Sequence, residues 1–148
     1  MCNAAYIYSR VRFEEGAPER DRPLAGQSPY LVNAGFFYQY DDKGISASLL
    51  YNRIGKRIES VGVPMQNQNE DIPDIYEMPR NSLDLTFSKK IGKIVEIKAG
   101  IQDMLNSKVE YKQFVKLTDD KGGKSEREQL IRSYRPGVDI NIGVSLRF

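Results

Sequence analysis

Apolar and polar residues alternate along several stretches of the chain, most completely in its last twelve residues, Gly137 to Phe148. Successive side chains of a β-strand point to opposite faces, so this alternation predicts a strand. One parity carries Asp139, Asn141 and Arg147, and the other is wholly apolar: Val138, Ile140, Ile142, Val144, Leu146 and Phe148. An unbroken apolar face opposite a charged one is typical of a strand between lipid and water, although a soluble sheet can show it too.

The same pattern predicts about seven strands in all and no segment with a convincing helical period. The clearest pair, Tyr30–Tyr40 and Ile45–Ile54, flanks a tight turn at Asp41–Gly44. The other predicted strands are Asn3–Glu14, Asn81–Ser88, Ile94–Gln102 and Lys108–Leu117, and Gly55–Val63 can be read as a continuation of the third strand. Proline, glycine and dense charge predict connections at Glu15–Pro29, Pro64–Pro79 and Thr118–Pro136, with at most one helical turn at Glu126–Ser133.

Composition removes several classes of function. The 148 residues contain no histidine and a single cysteine, Cys2, which argues against hydrolase triads, zinc clusters and an internal disulfide. We therefore predict no enzyme and no cofactor. A net charge of +2, with acids interspersed among the bases, argues against nucleic-acid binding. The first residues lack the basic start and apolar core of a signal peptide. If the chain is an outer-membrane protein, the simplest explanation is that it is the C-terminal piece of a longer polypeptide.

The alternation of apolar and polar residues does not by itself show which face of the strands contacts water. A soluble barrel that binds a small ligand places its apolar residues inside, whereas a membrane barrel places them outside. Three features favour the membrane: small residues lie among the charges of the polar parity, the apolar parity is nearly free of charge, and tyrosine is abundant at nine residues. Tyrosine suits membrane interfaces, although its strand propensity explains the same abundance.

Several stretches, in order along the chain, resemble the C-terminal barrel portion of TonB-dependent outer-membrane receptors, especially those of Bacteroidetes. They are Ala25–Asn33, Leu49–Ile58, Asp74–Arg80, Leu83–Leu85, Gly100–Asn106 and Tyr134–Phe148. The resemblance implies an all-β fold in which residues 1–148 form a partial, unclosed antiparallel meander of a larger transmembrane β-barrel. The plug domain, TonB box and signal peptide of that family are not found in these residues.

The resemblance also implies a function, location and partners. An intact receptor lies in the Gram-negative outer membrane and uses TonB to import a scarce nutrient such as an iron chelate or glycan. The implied partners are outer-membrane lipid, lipopolysaccharide, the barrel-assembly machinery, a plug domain and TonB. Without a plug, this chain alone is not expected to transport. A plug-less structural outer-membrane β protein remains an alternative.

The odd or even position of each residue in its strand assigns it to one of the two sides of such a barrel. We predict that Val32, Ala34, Phe36, Leu49, Leu83, Leu85, Val95, Ile97 and Ile140 face lipid. We predict that Arg10, Arg12, Asn33, Glu96, Lys98, Lys112, Asp139 and Arg147 face the lumen, where an intact receptor holds its plug. The resemblance marks Ile142, Val144, Leu146 and Phe148 as the signal read during assembly.

The resemblance further implies an orientation, with the chain end on the periplasmic side. Asp41–Gly44, Lys89–Lys93 and Thr118–Pro136 would then face outside, with Glu15–Pro29 and Pro64–Pro79 periplasmic. Asp103–Asn106 resembles a short periplasmic turn. Two weaker signals favour solvated surface over a site: an acidic group at Glu70, Asp71 and Asp74 that fits no calcium loop, and the lysines at 89, 90 and 93, which could meet lipopolysaccharide phosphates.

Overall fold

The computed structural model describes residues 1–13, 21–63, 72–118 and 124–147. Within them the chain forms ten β-strands, all paired antiparallel, and one 3₁₀ turn at Asp41–Lys43. The strands are β1 (Cys2–Tyr6), β2 (Tyr30–Tyr40), β3 (Ile45–Ile54), β4 (Arg57–Ser60), β5 (Ile75–Glu77), β6 (Arg80–Ile91), β7 (Val95–Gln102), β8 (Val109–Thr118), β9 (Lys124–Tyr134) and β10 (Asp139–Leu146).

The strands form two sheets that are two ends of one meander. The larger sheet, which we call sheet 1, has the order β1-β2-β3-β6-β7-β10, and sheet 2 has the order β4-β5-β8-β9. Only short breaks at residues 55–56, 78–79, 103–108 and 135–138 separate each strand of sheet 2 from the strand of sheet 1 on the same run of chain. The chain therefore makes six successive passes, and consecutive passes pair with each other. We call the aligned breaks the seam.

The register of sheet 1 sorts side chains by polarity. Phe36, Leu49, Leu85, Ile101 and Ile140 are cross-strand partners in one row. The next row pairs Phe37, Ser48, Thr86, Gly100 and Asn141. A slip of one residue in any strand would move its apolar side chains to the polar face, so the pattern fixes this register.

Polar contacts hold the seam together across neighbouring passes. Arg80 donates to the Asp103 carboxylate, and the Asp103 amide donates to Asp84 Oδ1 at 2.8 Å. Asn106 Oδ1 accepts from the Gly137 amide at 3.1 Å. Asp103 and Asn106 have positive φ of 51° and 44°, a conformation that Asp and Asn tolerate better than most residues. The 103–108 break is thus a defined local structure.

Few side chains are buried anywhere in the described residues. The buried apolar ones are Ile58, Val109 and Tyr111, all in sheet 2. The chain exposes 11008 Å², against about 7,700 Å² for a compact folded protein of 16.9 kDa. Sheet 1 is therefore a single layer with no hydrophobic core of its own among the described residues. The two edge strands, β1 and β10, each pair on one side only, so the predicted all-β, antiparallel, unclosed meander is confirmed.

Four strand predictions need correction. The first strand ends at Tyr6 instead of Glu14, and the pairing of Tyr6 with Tyr30 puts Tyr6 on the apolar side, whereas the alternation of its own segment predicts the wet side. The predicted loop Thr118–Pro136 contains β9, which pairs with β8. The predicted loop Pro64–Pro79 contains β5, and β6 continues to Ile91 through two lysines assigned to a turn.

The arrangement of turns also differs from the prediction. Lys90 N donates to Gly44 O, and Arg147 N donates to Ile94 O, both at 2.8 Å, so the turns near 41–44 and 92–94 lie at the same end as the end of β10. The predicted orientation puts them at the opposite end. The β1–β2 and β4–β5 connections, expected beside the chain end, lie opposite to it. Asp103–Asn106 reverses nothing, because β7 and β8 run in the same direction on one pass.

Candidate membrane-facing surface

One side of sheet 1 carries a continuous apolar surface, which we call the apolar face. The register brings all twelve described apolar candidates to it: Val32, Ala34, Phe36, Leu49, Leu83, Leu85, Val95, Ile97, Ile140, Ile142, Val144 and Leu146. Nothing among the described residues covers Phe36 or Ile142 on this face. Their exposed fractions are 67% and 76%. Phe148, the last predicted member, lies outside the described residues.

Amphipathic residues border the apolar face at both ends. Near the short turns lie Tyr38, Tyr40 and Lys89, and Lys43 Nζ stands 5.6 Å from the Tyr40 ring centroid. At the seam, Tyr51 OH and Arg53 Nη1 donate to Asn81 Oδ1 at 2.8 and 3.1 Å. Tyrosines, lysines and arginines in such positions suit a membrane interface, because each has an apolar body and a polar tip.

The length of the apolar face is close to that of a membrane core. In β6 it runs from Leu83 to Ile91, interrupted only by Lys89 near the turn end. Eight residue steps span about 27 Å along a strand, or about 20 Å along the membrane normal at a tilt of about 40°. The apolar band of known membrane barrels is about 25 Å tall.

On the opposite side of sheet 1, which we call the polar face, hydrogen bonds between side chains link neighbouring strands. Asn52 donates to Asn33, and Asn33 Nδ2 donates to Asn3 Oδ1 at 2.9 Å, which makes an amide ladder across three strands. The hydroxyls of Ser46 and Ser88 lie 2.7 Å apart. These polar groups are satisfied in place, so the face is suited to water or to a polar partner.

The predicted lumen residues of sheet 1 all fall on this polar face. They are Asn33, Glu96, Lys98 and Asp139, together with Arg147, which directly follows β10 and lies beside Glu96. Glu96 Oε2 lies 3.6 Å from Lys98 Nζ and 4.0 Å from Arg147 Nη2. The β7–β10 half of the face is therefore charged, whereas the β2–β3 half carries amides and hydroxyls together with the apolar side chains of Leu31, Phe37 and Leu50.

The other three predicted lumen residues lie elsewhere. Lys112 is in β8 of sheet 2, where its Nζ lies 2.6 Å from Glu128 Oε1, and this hydrogen bond raises the pKa of the lysine. Arg10 and Arg12 lie beyond the end of β1, outside both sheets, and Arg10 pairs with Asp21 at 2.9 Å. Because neither arginine lies in a strand, the pairing of the strands assigns neither of them to a face of the sheet.

Beyond the seam both sides are mixed in character, since Tyr76 pairs with Lys112 on one side and Glu77 pairs with Tyr111 on the other. If alternate residues are counted through the two-residue breaks, Ile58 and Tyr76 continue the polar-face side. There Lys56 Nζ lies 4.0 and 3.8 Å from the ring centroids of Tyr76 and Phe114, and burial lowers the pKa of this amine. The side that continues the apolar face carries the Arg57–Glu77 ion pair, with Arg57 Nη2 at 2.7 Å from Glu77 Oε2, and Arg132. The apolar face therefore ends at the seam.

The weak chemical signals of the sequence gain no support. Glu70 and Asp71 lie outside the described residues. Asp74 already accepts a hydrogen bond from Gly62 N at 2.8 Å, and no group of three His, Cys, Asp or Glu in the described residues could hold a metal ion. The seam cluster around Arg80 was missed, although the closeness of Asp103 and Asn106 in sequence, two residue types tolerant of positive φ, was a signal that could have found it.

Comparison with known proteins adds no identity. No family model, curated protein or solved structure matches the chain. Among the described residues, no helix is long and apolar enough to cross a membrane.

Proposed function

We propose that this chain is a strand segment of an outer-membrane β-barrel and that its apolar face contacts lipid. The observation that carries the proposal is the register of sheet 1, which gathers most apolar residues of six passes on one face. A soluble sheet buries such a face against a second layer. Here the polar groups bond to one another on one side and the apolar face is bare on the other, an arrangement that suits a lipid environment.

The finer proposal, the C-terminal part of a TonB-dependent receptor, rests on the resemblance of the sequence, and the asymmetry of the connections supports an outer-membrane barrel in general. Membrane barrels have short periplasmic turns and longer outer loops. The short turns near residues 41–44 and 92–94 share one end with the end of β10, and the long connections 7–29 and 61–74 lie at the other. The first end would be periplasmic, and sheet 2 would extend above the outer leaflet. An intact receptor of this kind would import a scarce nutrient.

A soluble barrel that binds a small ligand is the alternative from another class. Such a barrel needs a closed sheet around an apolar interior. The described strands leave β1 and β10 unpaired on one side, and their apolar residues enclose nothing. A plug-less structural protein of the outer membrane would share the strand pattern, and it stays a second form of the membrane proposal.

Neighbouring phenylalanines on opposite faces provide the test. The chain has no tryptophan, so Phe36→Trp and Phe37→Trp each introduce a single tryptophan, whose emission can be excited selectively over that of the tyrosines. The two parent residues are similarly exposed, at 67% and 60%, but only Phe36 is on the apolar face. In vesicles with brominated lipid chains, we expect blue-shifted, strongly quenched emission from Phe36→Trp and weaker quenching from Phe37→Trp.

Equal quenching of the two variants, or no quenching of either, would contradict lipid contact by this face. Far-ultraviolet circular dichroism of both variants controls for folding, since each should keep the strand signal of the parent chain.

A further inference from the structure

The side of sheet 2 that continues the apolar face, which we call the outer side, carries a surplus of positive charge. Strand pairing places one carboxylate and three guanidinium groups on it: Glu77, Arg57, Arg127 and Arg132. On the opposite side, lysine and glutamate pair with each other, since Lys112 Nζ lies 2.6 Å from Glu128 Oε1 and 3.4 Å from Glu110 Oε2. The outer side therefore attracts anions, and the cations that pairing places there are all arginines.

Arg132 is held in place by aromatic rings. Arg57, Glu77, Tyr111 and Arg132 are successive cross-strand partners in one row of sheet 2. Glu77 forms an ion pair with Arg57, and within the described ranges no carboxylate forms one with Arg132. Arg132 Cζ lies 4.3 Å from the ring centroid of Tyr111 and 5.4 Å from that of Tyr134. Contact with the face of a ring fixes a guanidinium without using its N–H groups, which can then bind the oxygens of an anion.

The contact with Tyr111 also sets the direction of the Arg132 side chain. Tyr111 belongs to β8, so Arg132 leans from β9 towards the middle of the sheet and away from the open edge of β9. The group is thus part of the outer side of sheet 2 itself, whatever strand lies beyond β9.

The row lies farther from the apolar face than the head group of an ordinary phospholipid reaches. In β6 the apolar face ends at Leu83, and six residue steps from there to Glu77 span about 20 Å, or about 15 Å along the membrane normal at a tilt of about 40°. Phospholipid head groups occupy about 5–8 Å on each side of the hydrocarbon. Arg53, which pairs with Asn81 two residues beyond Leu83, lies at that lower level. A lipid with phosphates on a saccharide head spans both levels.

We propose that Arg53 and Arg132 form a binding site for the phosphate groups on the saccharide head of outer-leaflet lipopolysaccharide. The inference rests on the proposed function, which places sheet 2 above the outer leaflet. Arginine suits this ligand, because its N–H groups form paired hydrogen bonds to phosphate oxygens. The lysines at 89, 90 and 93 lie at the other end of the sheet, near the end of β10. The phosphate contact is thus assigned to arginines beside the seam and not to those lysines.

The binding of labelled lipopolysaccharide to the purified chain in detergent micelles, followed by fluorescence anisotropy, tests the proposal. The comparison ligand is the same lipopolysaccharide after chemical removal of its phosphates. We expect the phosphorylated form to bind at least about tenfold more tightly, the effect of one charged hydrogen bond. Phosphatidylglycerol at equal phosphate concentration should not displace it, and equal competition would overturn the choice of a saccharide head.

Three variants, each of which removes one positive charge, locate the site. Arg132→Gln and Arg53→Gln should each weaken binding of the phosphorylated form about tenfold and leave binding of the other form unchanged. Glutamine keeps an amide donor, so Arg53→Gln retains a group that can bond to Asn81 Oδ1. Lys93→Gln, exposed at the opposite end of the sheet, is the matched control and should bind as the parent does.

Equal affinity of the parent for the two forms, or an equal loss from Lys93→Gln, would overturn the proposal. Circular dichroism checks that each variant keeps its strands, and the two arginine variants lie in different sheets, so a folding defect in one leaves the other as the test. If Phe36→Trp is quenched by lipid while binding ignores the phosphates, only this site fails; without quenching, the membrane location fails as well.

Discussion

At the scale of single residues, the seam depends on a small number of charged contacts. Arg80 and Asp103 are mostly buried, and Asp103 accepts from Arg80 while its own amide donates to Asp84. A partly buried ion pair is costly to break, because the surviving partner stays desolvated without its counter-charge. The positive φ of Asp103 places this carboxylate at the point where the fifth pass leaves one sheet for the other.

Asp103→Asn tests the charge without changing the backbone, because asparagine also tolerates positive φ. We expect a loss of about 1–3 kcal/mol in the free energy of unfolding, since Arg80 loses its counter-charge. The measurement is a urea titration of the chain folded in vesicles. Arg147→Gln is the matched control: its partner Glu96 is 4.0 Å away and its side chain is 73% exposed, so we expect a change below about 0.5 kcal/mol. Equal losses from the two variants would contradict the role of the seam pair.

At the scale of elements, the alternation of apolar and polar residues predicted the strands that form the apolar face. Tyr30–Tyr40 and Ile45–Ile54 were predicted at the bounds the structure shows, and the strands of β6, β7 and β10 to within a few residues. Each of these strands has one apolar and one polar face, so local pattern and final environment agree.

The strands that the sequence missed lack that agreement. In β9, charged and amide residues occupy both faces from Glu126 to Gln129, and the strand exists because it pairs with β8. Pairing with β8 outweighs the low strand propensity of these charged residues. β4 and β5 are only four and three residues long, too short for alternation to register. The seam escaped prediction because it depends on the alignment of four breaks that are far apart in sequence.

Gly55 at the seam gives a prediction at this scale. A Cβ on Gly55 would lie 2.7 Å from Tyr30 Cε1 and 2.8 Å from Ser28 Oγ, so Gly55→Ala should crowd the crossing from β3 to β4. We expect a loss of about 1–3 kcal/mol in the free energy of unfolding. Gly143→Ala is the control, because a Cβ at that position would have nothing within 4 Å; it should be neutral or slightly stabilising. Urea titration in vesicles compares them, and a neutral Gly55→Ala would show that the crossing is not tightly packed.

At the scale of the whole molecule, the excess of exposed surface decides how the chain behaves outside lipid. The accessible area of 11008 Å² reflects an open sheet whose apolar face is uncovered. Contact between such a face and water is unfavourable. The predictable part of this result was the existence of the two faces; the absence of closure follows from the pairing of the strands.

We expect the purified chain to aggregate in buffer without detergent and to remain dispersed, with a strand-type circular dichroism spectrum, in detergent micelles. Exposed apolar surface and open strand edges both promote association in water. Light scattering and circular dichroism, measured side by side in the two solvents, check this. A monodisperse monomer in plain buffer with the same spectrum would point back to a soluble barrel.

The seam has a consequence for how the length of the chain can vary. A strand shifted by one residue turns its side chains inside out, so an insertion within sheet 1 would expose polar groups on its apolar face. Sheet 2 already contains such an irregularity, where the pairing of β8 with β9 skips Ile131, and the register of β7 with β10 beyond the seam is unbroken. The aligned breaks therefore insulate one sheet from the other. Related chains could lengthen or diversify the part above the seam while the strands below keep their register.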